Sequence, residues 1–138
     1  MTTLHKCIYL KAEPKEVWAW LTEPEKLAEW FHKPKAPLAA GKRLELFGTT
    51  SGDLLIWGEV RVAKPYEYLE YTFEIKHMQG ADSVVKWTLD KVPGGTRLTM
   101  EHSGLADTGP QFDVAVMLDE GWEEHMARMR KGLHLVAA

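Results

Sequence analysis

QFDVAVMLDEGWEEHMARMRKGLHLV, residues 111–136, is the stretch on which the fold depends. It contains no proline, and apolar side chains recur in it at intervals of three and four residues: Val114, Leu118, Trp122, Met126, Met129 and Leu133. This spacing places them on one face of an α-helix. Acidic residues crowd its first half and basic residues its last turns, an order that complements the helix dipole. The stretch therefore predicts a C-terminal helix of roughly 39 Å, at ~1.5 Å per residue, which needs a broad apolar surface to lie on.

The preceding part of the chain has the pattern of strands that would supply this surface. Two strands are predicted at residues 42–47 and 54–63. In three later strands, apolar residues alternate with polar ones: Leu69, Tyr71, Phe73 and Ile75; Val85, Trp87 and Leu89; Leu98, Met100 and His102. Turn residues separate the strands, among them Gln79–Gly80 and residues 93–95. Because the connections are short, consecutive strands are expected to pair antiparallel.

The N-terminal part adds one strand and two short helices. Residues 4–12 alternate as a strand does, and Pro14 suits the first turn of a helix. Trp30 and Phe31 follow Leu27 at three and four residues, which predicts a second short helix. The first strand is expected to pair with the last, since an open sheet edge is hazardous. The prediction is an α+β fold over one domain, residues 1–138: a curved six-stranded antiparallel sheet wrapped on the C-terminal helix.

Composition excludes several classes of function. With 17 basic and 20 acidic residues the net charge is −3, too balanced to attract nucleic acid or an anionic membrane. No apolar run approaches the ~18 residues of a membrane span, and the N-terminus lacks the apolar core of a signal peptide. The single cysteine, Cys7, suits a reducing compartment and is predicted to be buried or half-buried. We therefore expect a cytoplasmic protein without a nucleic-acid or membrane partner.

Motifs for common catalytic and cofactor sites are missing. Gly-x-Ser-x-Gly does not occur, and Gly94–Gly95 lies between strands, which is typical of a hairpin and not of a phosphate-binding loop. His125 follows Glu124, but no second histidine lies one turn away, so zinc is not expected. We predict no metal, no cofactor and no catalytic residue. Gly121 interrupts the long helix, which predicts close approach of that helix to the sheet or a loop, with Trp122 as an anchor.

The predicted interior surface is rich in aromatic and methionine side chains. By strand alternation and helix periodicity it consists of Tyr71, Phe73, Trp87, Met100, His102, Trp122, Met126 and Met129. Either these residues fill the core or they line a cavity for a hydrophobic ligand. His102 is expected to point inward, either as a hydrogen-bonded core residue or as a group that bonds a ligand or accepts a proton.

The order of elements resembles the START-like helix-grip superfamily, which includes the Bet v allergens and polyketide cyclases. Three runs narrow the resemblance to the branch named for the activator of heat-shock-protein 90 ATPase: EPKEVWAWLTEPEKLAEWF at residues 13–31, GEVRVAKPYEYLEYTF at 58–73, and GGTRLTMEHSGL at 94–105 followed by GWEEHMARMRKGL at 121–133. The resemblance covers residues 8–133. It implies a hydrophobic small molecule held between sheet and helix, with the eight interior residues as its contacts.

Three hypotheses for function remain open. The first is a non-enzymatic protein that binds a lipid, polyketide or flavonoid-like ligand. The second is a cyclase or hydrolase acting on an aromatic or polyketide-like substrate, with His102 polarising or deprotonating it. The third is a chaperone-associated or other protein-interaction domain, for which Trp20 is the best candidate for an exposed apolar side chain. Either a monomer or a homodimer fits the sequence.

Overall fold

Strand and helix periodicities produce six strands, three α-helices and one 3₁₀ turn around one core in the computed structural model, which describes residues 1–78 and 83–137, with side chains to residue 135. The strands are β1 (Thr2–Leu10), β2 (Arg43–Phe47), β3 (Leu54–Lys64), β4 (Tyr68–Phe73), β5 (Ser83–Val92) and β6 (Gly95–Leu105). The helices are α1 (Pro14–Thr22), α2 (Pro24–Trp30) and α3 (Pro110–Ala137), and a 3₁₀ turn spans Lys76–Met78. The predicted turn at Gln79–Gly80 lies outside the described residues.

The six strands form one antiparallel, curved and open sheet in the order β1-β6-β5-β4-β3-β2. Strand β1 pairs with β6, with Leu10 opposite Thr96 and Leu4 opposite His102, which confirms the predicted pairing of the first strand with the last. The predicted boundaries of β1 were two residues too late, because the chain bends at Lys11 and Ala12 before Pro14 starts α1. The predicted α+β helix-grip fold is confirmed.

Helix α3 packs its predicted apolar face on the sheet and the short helices. Trp122, Met126, Met129 and Leu133 are buried, whereas Val114 and Leu118 are half-buried against the same core. Polar contacts connect the helix to β1 and to the residue that follows it. Lys6 Nζ lies 2.8 Å from Asp119 Oδ1, and the Lys11 backbone N–H donates to His134 Nε2 at 3.0 Å. No helix in the described parts of the chain is long and apolar enough to cross a membrane.

Three tryptophans fill the space between sheet and helices. The Trp87 ring meets both Trp30 and Trp122 edge to face, with centroids 5.9 and 5.6 Å apart. Each indole N–H has a buried acceptor: the Trp20 carbonyl for Trp30, the Tyr71 hydroxyl for Trp87, and His102 Nδ1 for Trp122. Because a buried polar group without a partner is costly, these bonds allow tryptophan to serve as core filler.

The predictions for Trp20 and Cys7 were wrong. Trp20 is 5% exposed, because α1 turns it toward α3, where Gly132 has no side chain to block its ring. Trp18 is half-buried instead, edge to face with Tyr66. Cys7 is exposed, because odd-numbered residues of β1 face away from the core.

Candidate functional site

A solvent-connected cavity of about 670 Å³ opens at one end of the sheet, and we call it the end cleft. Its walls come from the start of β3, the end of β4, the 3₁₀ turn, the first half of α3 and the two residues after α2. The lining residues are Phe31, His32, Asp53, Leu54, Leu55, Ile56, Phe73, Ile75, Lys76, His77, Met117, Leu118, Gly121, Trp122 and His125. The volume lies within the range typical of small-molecule sites.

Helix α3 presents to this cleft a second stripe, beside its core stripe. Met117, Gly121, His125 and Arg128 follow one another at four, four and three residues, so they share one helix face. The first three line the end cleft. The periodicity that buries Trp122 and Met126 in the core therefore also positions a mixed, partly polar stripe along the opening.

Gly121 has no packing reason to be glycine. A Cβ placed there would have no atom within 4 Å, whereas a Cβ at Gly132 would lie 2.5 Å from the Trp20 ring. The predicted close approach at Gly121 was therefore wrong. A glycine inside a helix costs about 1 kcal/mol relative to alanine, and at Gly121 no contact offsets this cost. Position 121 faces open space and lines the end cleft.

The structure separates the eight predicted interior residues into two groups. Phe73 and Trp122 form part of the cleft wall. The other six are buried in the packed core away from it: Tyr71, Trp87, Met100, His102, Met126 and Met129. Their inward orientation agrees with the alternation, and their role in ligand binding stays a prediction.

His102 belongs to a buried chain of hydrogen bonds. Trp122 Nε1–H donates to His102 Nδ1 at 3.0 Å, so the imidazole carries its proton on Nε2. Nε2 lies 2.9 Å from Ser83 Oγ and donates to it, and Ser83 donates in turn to the Phe73 carbonyl oxygen. The chain thus joins α3 to β6, β5 and β4 with every donor directed at an acceptor.

These hydrogen bonds leave the His102 ring without a free lone pair. The side chain is 0% exposed, and burial lowers its pKa from 6.5 to about 3. A general base needs an accessible unprotonated nitrogen, but Nδ1 already accepts from Trp122. His102 therefore acts as a core residue that positions Trp122 at the cleft wall.

Three histidines line the end cleft, His32, His77 and His125, and the rings of His32 and His125 lie next to each other. Their ring centroids lie 5.5 Å apart, and both rings pack on Phe31. Burial lowers the pKa of His125 to about 4, although a hydrogen bond to the Trp30 carbonyl acts to raise it. The charges of Arg128 and His32 add to the lowering of this pKa. Burial and then Arg128 also lower the pKa of His32. Both rings are therefore neutral at physiological pH. No group of three or more His, Cys, Asp or Glu among the described residues is placed to hold a metal ion.

Acidification is expected to destabilise the protein through these histidines. The unfolded chain binds a proton at each imidazole near pH 6.5, whereas the folded chain binds one at His125 only near pH 4 and at His102 near pH 3. Between about pH 6.5 and 4 the unfolded state therefore holds more protons, and stability falls as pH falls. The loss approaches about 1.4 kcal/mol per pH unit for the fully buried His102. Urea unfolding at about pH 7 and pH 5 measures it.

A variant tests the share of His125 in this loss. His125→Asn is expected to lose less stability than the wild type between the two pH values, because it removes one proton-binding group. Equal losses in the wild type and His125→Asn would contradict the burial of the His125 ring.

Most of the cleft residues were not predicted from the sequence, because the inward-facing residues of the strands and of the long helix were all assigned to one binding surface. His125 was considered only as a metal ligand, and Phe31 only as part of the second short helix. One signal was present: Gly121 and His125 repeat the spacing of the core stripe one residue to its side. A glycine inside a helix goes against helix preference, so its place beside Trp122 is a reason to expect a functional position there.

Comparison with known protein families and structures places this geometry in context. The family model for "Activator of Hsp90 ATPase homolog 1-like protein" matches residues 11–134. No curated protein sequence matches the chain. Among solved structures, MLL2253 from Mesorhizobium loti is 28% identical with a TM-score of 0.80, over 94% of this chain and 95% of that one.

Two further structures share the fold. DynU16, a protein of the dynemicin biosynthetic locus, is 25% identical with a TM-score of 0.82; the match covers 96% of this chain and 47% of DynU16. The Aha1 dimer from Colwellia psychrerythraea is 17% identical with a TM-score of 0.80, over 96% of each chain. At that identity the likeness shows the fold alone.

Proposed function

The chain belongs to the activator of Hsp90 ATPase homolog 1-like family, and on that premise we propose that it binds a small, hydrophobic, aromatic-containing ligand in the end cleft. The fold is consistent with a ligand-binding domain. One observation carries the proposal: Gly121 holds space open on the cleft side of α3, at a cost in helix stability that no packing contact explains. Such a departure from local helix preference is expected where function requires it.

The cleft wall supports an aromatic ligand. Trp122 lies between Phe31 and Phe73, with ring centroids 5.2 and 5.8 Å away, and all three rings line the opening. Aromatic rings interact favourably in tilted and edge-to-face arrangements of this kind. Leu54, Leu55 and Met117 are exposed large apolar side chains, and all three line the cleft. An apolar ligand seated there would remove their surfaces from water.

Filling the space at Gly121 is expected to weaken binding without unfolding the protein. Gly121→Leu places a side chain in the end cleft, so the affinity for the neutral aromatic probe 2-naphthamide should fall by about tenfold or more, ~1.4 kcal/mol. Gly121→Ala should raise the free energy of unfolding by about 0.5–1 kcal/mol, because it restores helix preference without a clash. Tryptophan fluorescence measures the affinity and urea unfolding the stability.

Two matched variants of the same helix separate the effects. Ala127→Leu adds the same side chain on the exposed face of α3 and should leave probe affinity unchanged. Gly132→Ala should destabilise the protein by about 1 kcal/mol or more, because its Cβ would overlap the Trp20 ring. Unchanged probe affinity in Gly121→Leu would refute the proposed cleft.

The residues on which the other two hypotheses relied do not have the properties that those hypotheses require. The enzyme hypothesis assigned a base to His102, whose lone pair accepts from Trp122. The protein-interaction hypothesis relied on Trp20, which is buried. The proposal applies to a monomer and to a homodimer alike, because every residue on which it rests belongs to one chain. A cytoplasmic location stays a prediction.

A further inference from the structure

Arg128 lies at the end of the polar stripe of α3, immediately behind the end cleft. One of its guanidinium nitrogens is 2.6 Å from His125 Nδ1, and His125 lines the cleft. The Arg128 side chain also borders an outer groove shared with Gly48, Thr49, Thr50 and Ser51 at the β2–β3 turn. We call this surface the hydroxyl groove.

The end cleft and the hydroxyl groove meet along one wall. Phe31, His32, Leu55 and His125 line both. A ligand whose apolar body lies in the end cleft therefore needs only to extend past the two imidazoles to reach the surroundings of Arg128. Polar hydroxyls and a guanidinium on one side, and aromatic rings on the other, suit a ligand with two chemically different ends.

Arg128 forms no ion pair with a carboxylate of the described residues. Glu29 also borders the hydroxyl groove, and Asp53 and Lys76 both line the end cleft, so the other charges there are of both signs. The positive field of Arg128 reaches both imidazoles, since it contributes to the lowered pKa of His32 and of His125.

His125 can present a donor toward such a ligand. Its Nδ1 lies 3.0 Å from the Trp30 carbonyl oxygen and 2.6 Å from the Arg128 nitrogen, and it can donate to the first or accept from the second, but not both. When Arg128 donates to Nδ1, the proton of the neutral ring is on Nε2. Among the described residues, His125 Nε2 has no hydrogen-bond partner. No side-chain nitrogen or oxygen of these residues is both buried and without a partner, so Nε2 is accessible to solvent.

From this arrangement we infer that the ligand of the end cleft is an acid: an apolar, aromatic body with a carboxylate that lies against His32 and His125 and is attracted by Arg128. The inference rests on the proposed function and adds the chemical class of the ligand. Arg128 is a positioning residue that supplies charge and orients the His125 donor. Charge-assisted hydrogen bonds of this kind are about twice as strong as neutral ones.

A pair of probes of equal shape tests the charge preference. The wild type is expected to bind 2-naphthoate about tenfold more tightly than 2-naphthamide. In Arg128→Gln the affinity for 2-naphthoate should fall about tenfold, and by a larger factor than that for 2-naphthamide, so that the preference for the acid disappears. Arg128 is exposed, so this variant is expected to fold normally. Arg130→Gln removes the same charge from another exposed position of α3 and should change neither affinity.

The outcomes distinguish this inference from the proposal on which it rests. If both probes bind the wild type equally and Gly121→Leu weakens both, the cleft is a binding site but does not select acids, and the inference is overturned. If Arg130→Gln weakens 2-naphthoate as much as Arg128→Gln does, the preference comes from overall charge, which also overturns it. If Gly121→Leu weakens neither probe, the proposed function itself fails.

Discussion

Replacing Trp122 with alanine is expected to lower the free energy of unfolding by about 5 kcal/mol. Truncating a buried tryptophan costs about 3–5 kcal/mol, and the Trp122 side chain is only 2% exposed. The variant also leaves the buried His102 Nδ1 without its donor, which adds about 1–3 kcal/mol. Because single domains are stable by only about 5–15 kcal/mol, the variant is expected to be partly unfolded at room temperature. Circular dichroism and urea unfolding measure the loss.

Two variants separate packing from hydrogen bonding at this position. Trp122→Phe keeps an aromatic ring but no N–H, and we expect it to lose about 1–3 kcal/mol. Trp18→Ala removes a half-buried tryptophan that meets Tyr66 edge to face, and it should cost clearly less than Trp122→Ala. A loss below about 2 kcal/mol for Trp122→Ala would show that the ring is not packed as described.

Replacing Gly95 with alanine is expected to cost about 3 kcal/mol. A Cβ at Gly95 would lie 2.1 Å from the Leu10 carbonyl oxygen, and the residue has a φ of 152°, which L side chains rarely adopt. Backbone strain and overpacking each cost about 1–3 kcal/mol. The clash falls where β1 ends beside β6, so it should loosen the edge strand that carries Lys6 and its ion pair with Asp119 of α3. Urea unfolding measures the cost.

The neighbouring glycine is a matched control. Gly94 lies in the same hairpin, but a Cβ there would have no atom within 4 Å, and its φ is not in the left-handed region. Gly94→Ala should therefore change stability by less than about 0.5 kcal/mol. Equal losses in the two variants would contradict the close approach of β1 and β6 at Gly95.

The fold was predictable because its signals are periodic. The four- and three-residue spacing of Trp122, Met126 and Met129 determines the buried face of α3, and alternation at Tyr71 and Phe73 determines that of β4. Trp20 was misplaced because a nine-residue helix has too few turns for periodicity to identify its inner face. Its burial depends on Gly132, far away in sequence.

The site was less predictable because a cleft depends on where packing stops. Met100 and Phe73 occupy equivalent inward positions on their strands, but only Phe73 reaches the opening. Strand alternation cannot distinguish the middle of a sheet from its end. The informative residue was Gly121, which sequence reasoning interpreted as a close contact and the structure shows beside open space.

Binding of an aromatic acid in the end cleft, beside Gly121, can be tested directly by NMR. Labelled protein is titrated with 2-naphthoate, and the chemical shifts of the backbone amides and the indole N–H groups are followed. We expect the largest chemical-shift changes at His32, Gly121, His125 and the Trp122 indole N–H, with little change at Trp20. Shifts centred on Trp20 and α1, or no shifts at saturating probe, would contradict it.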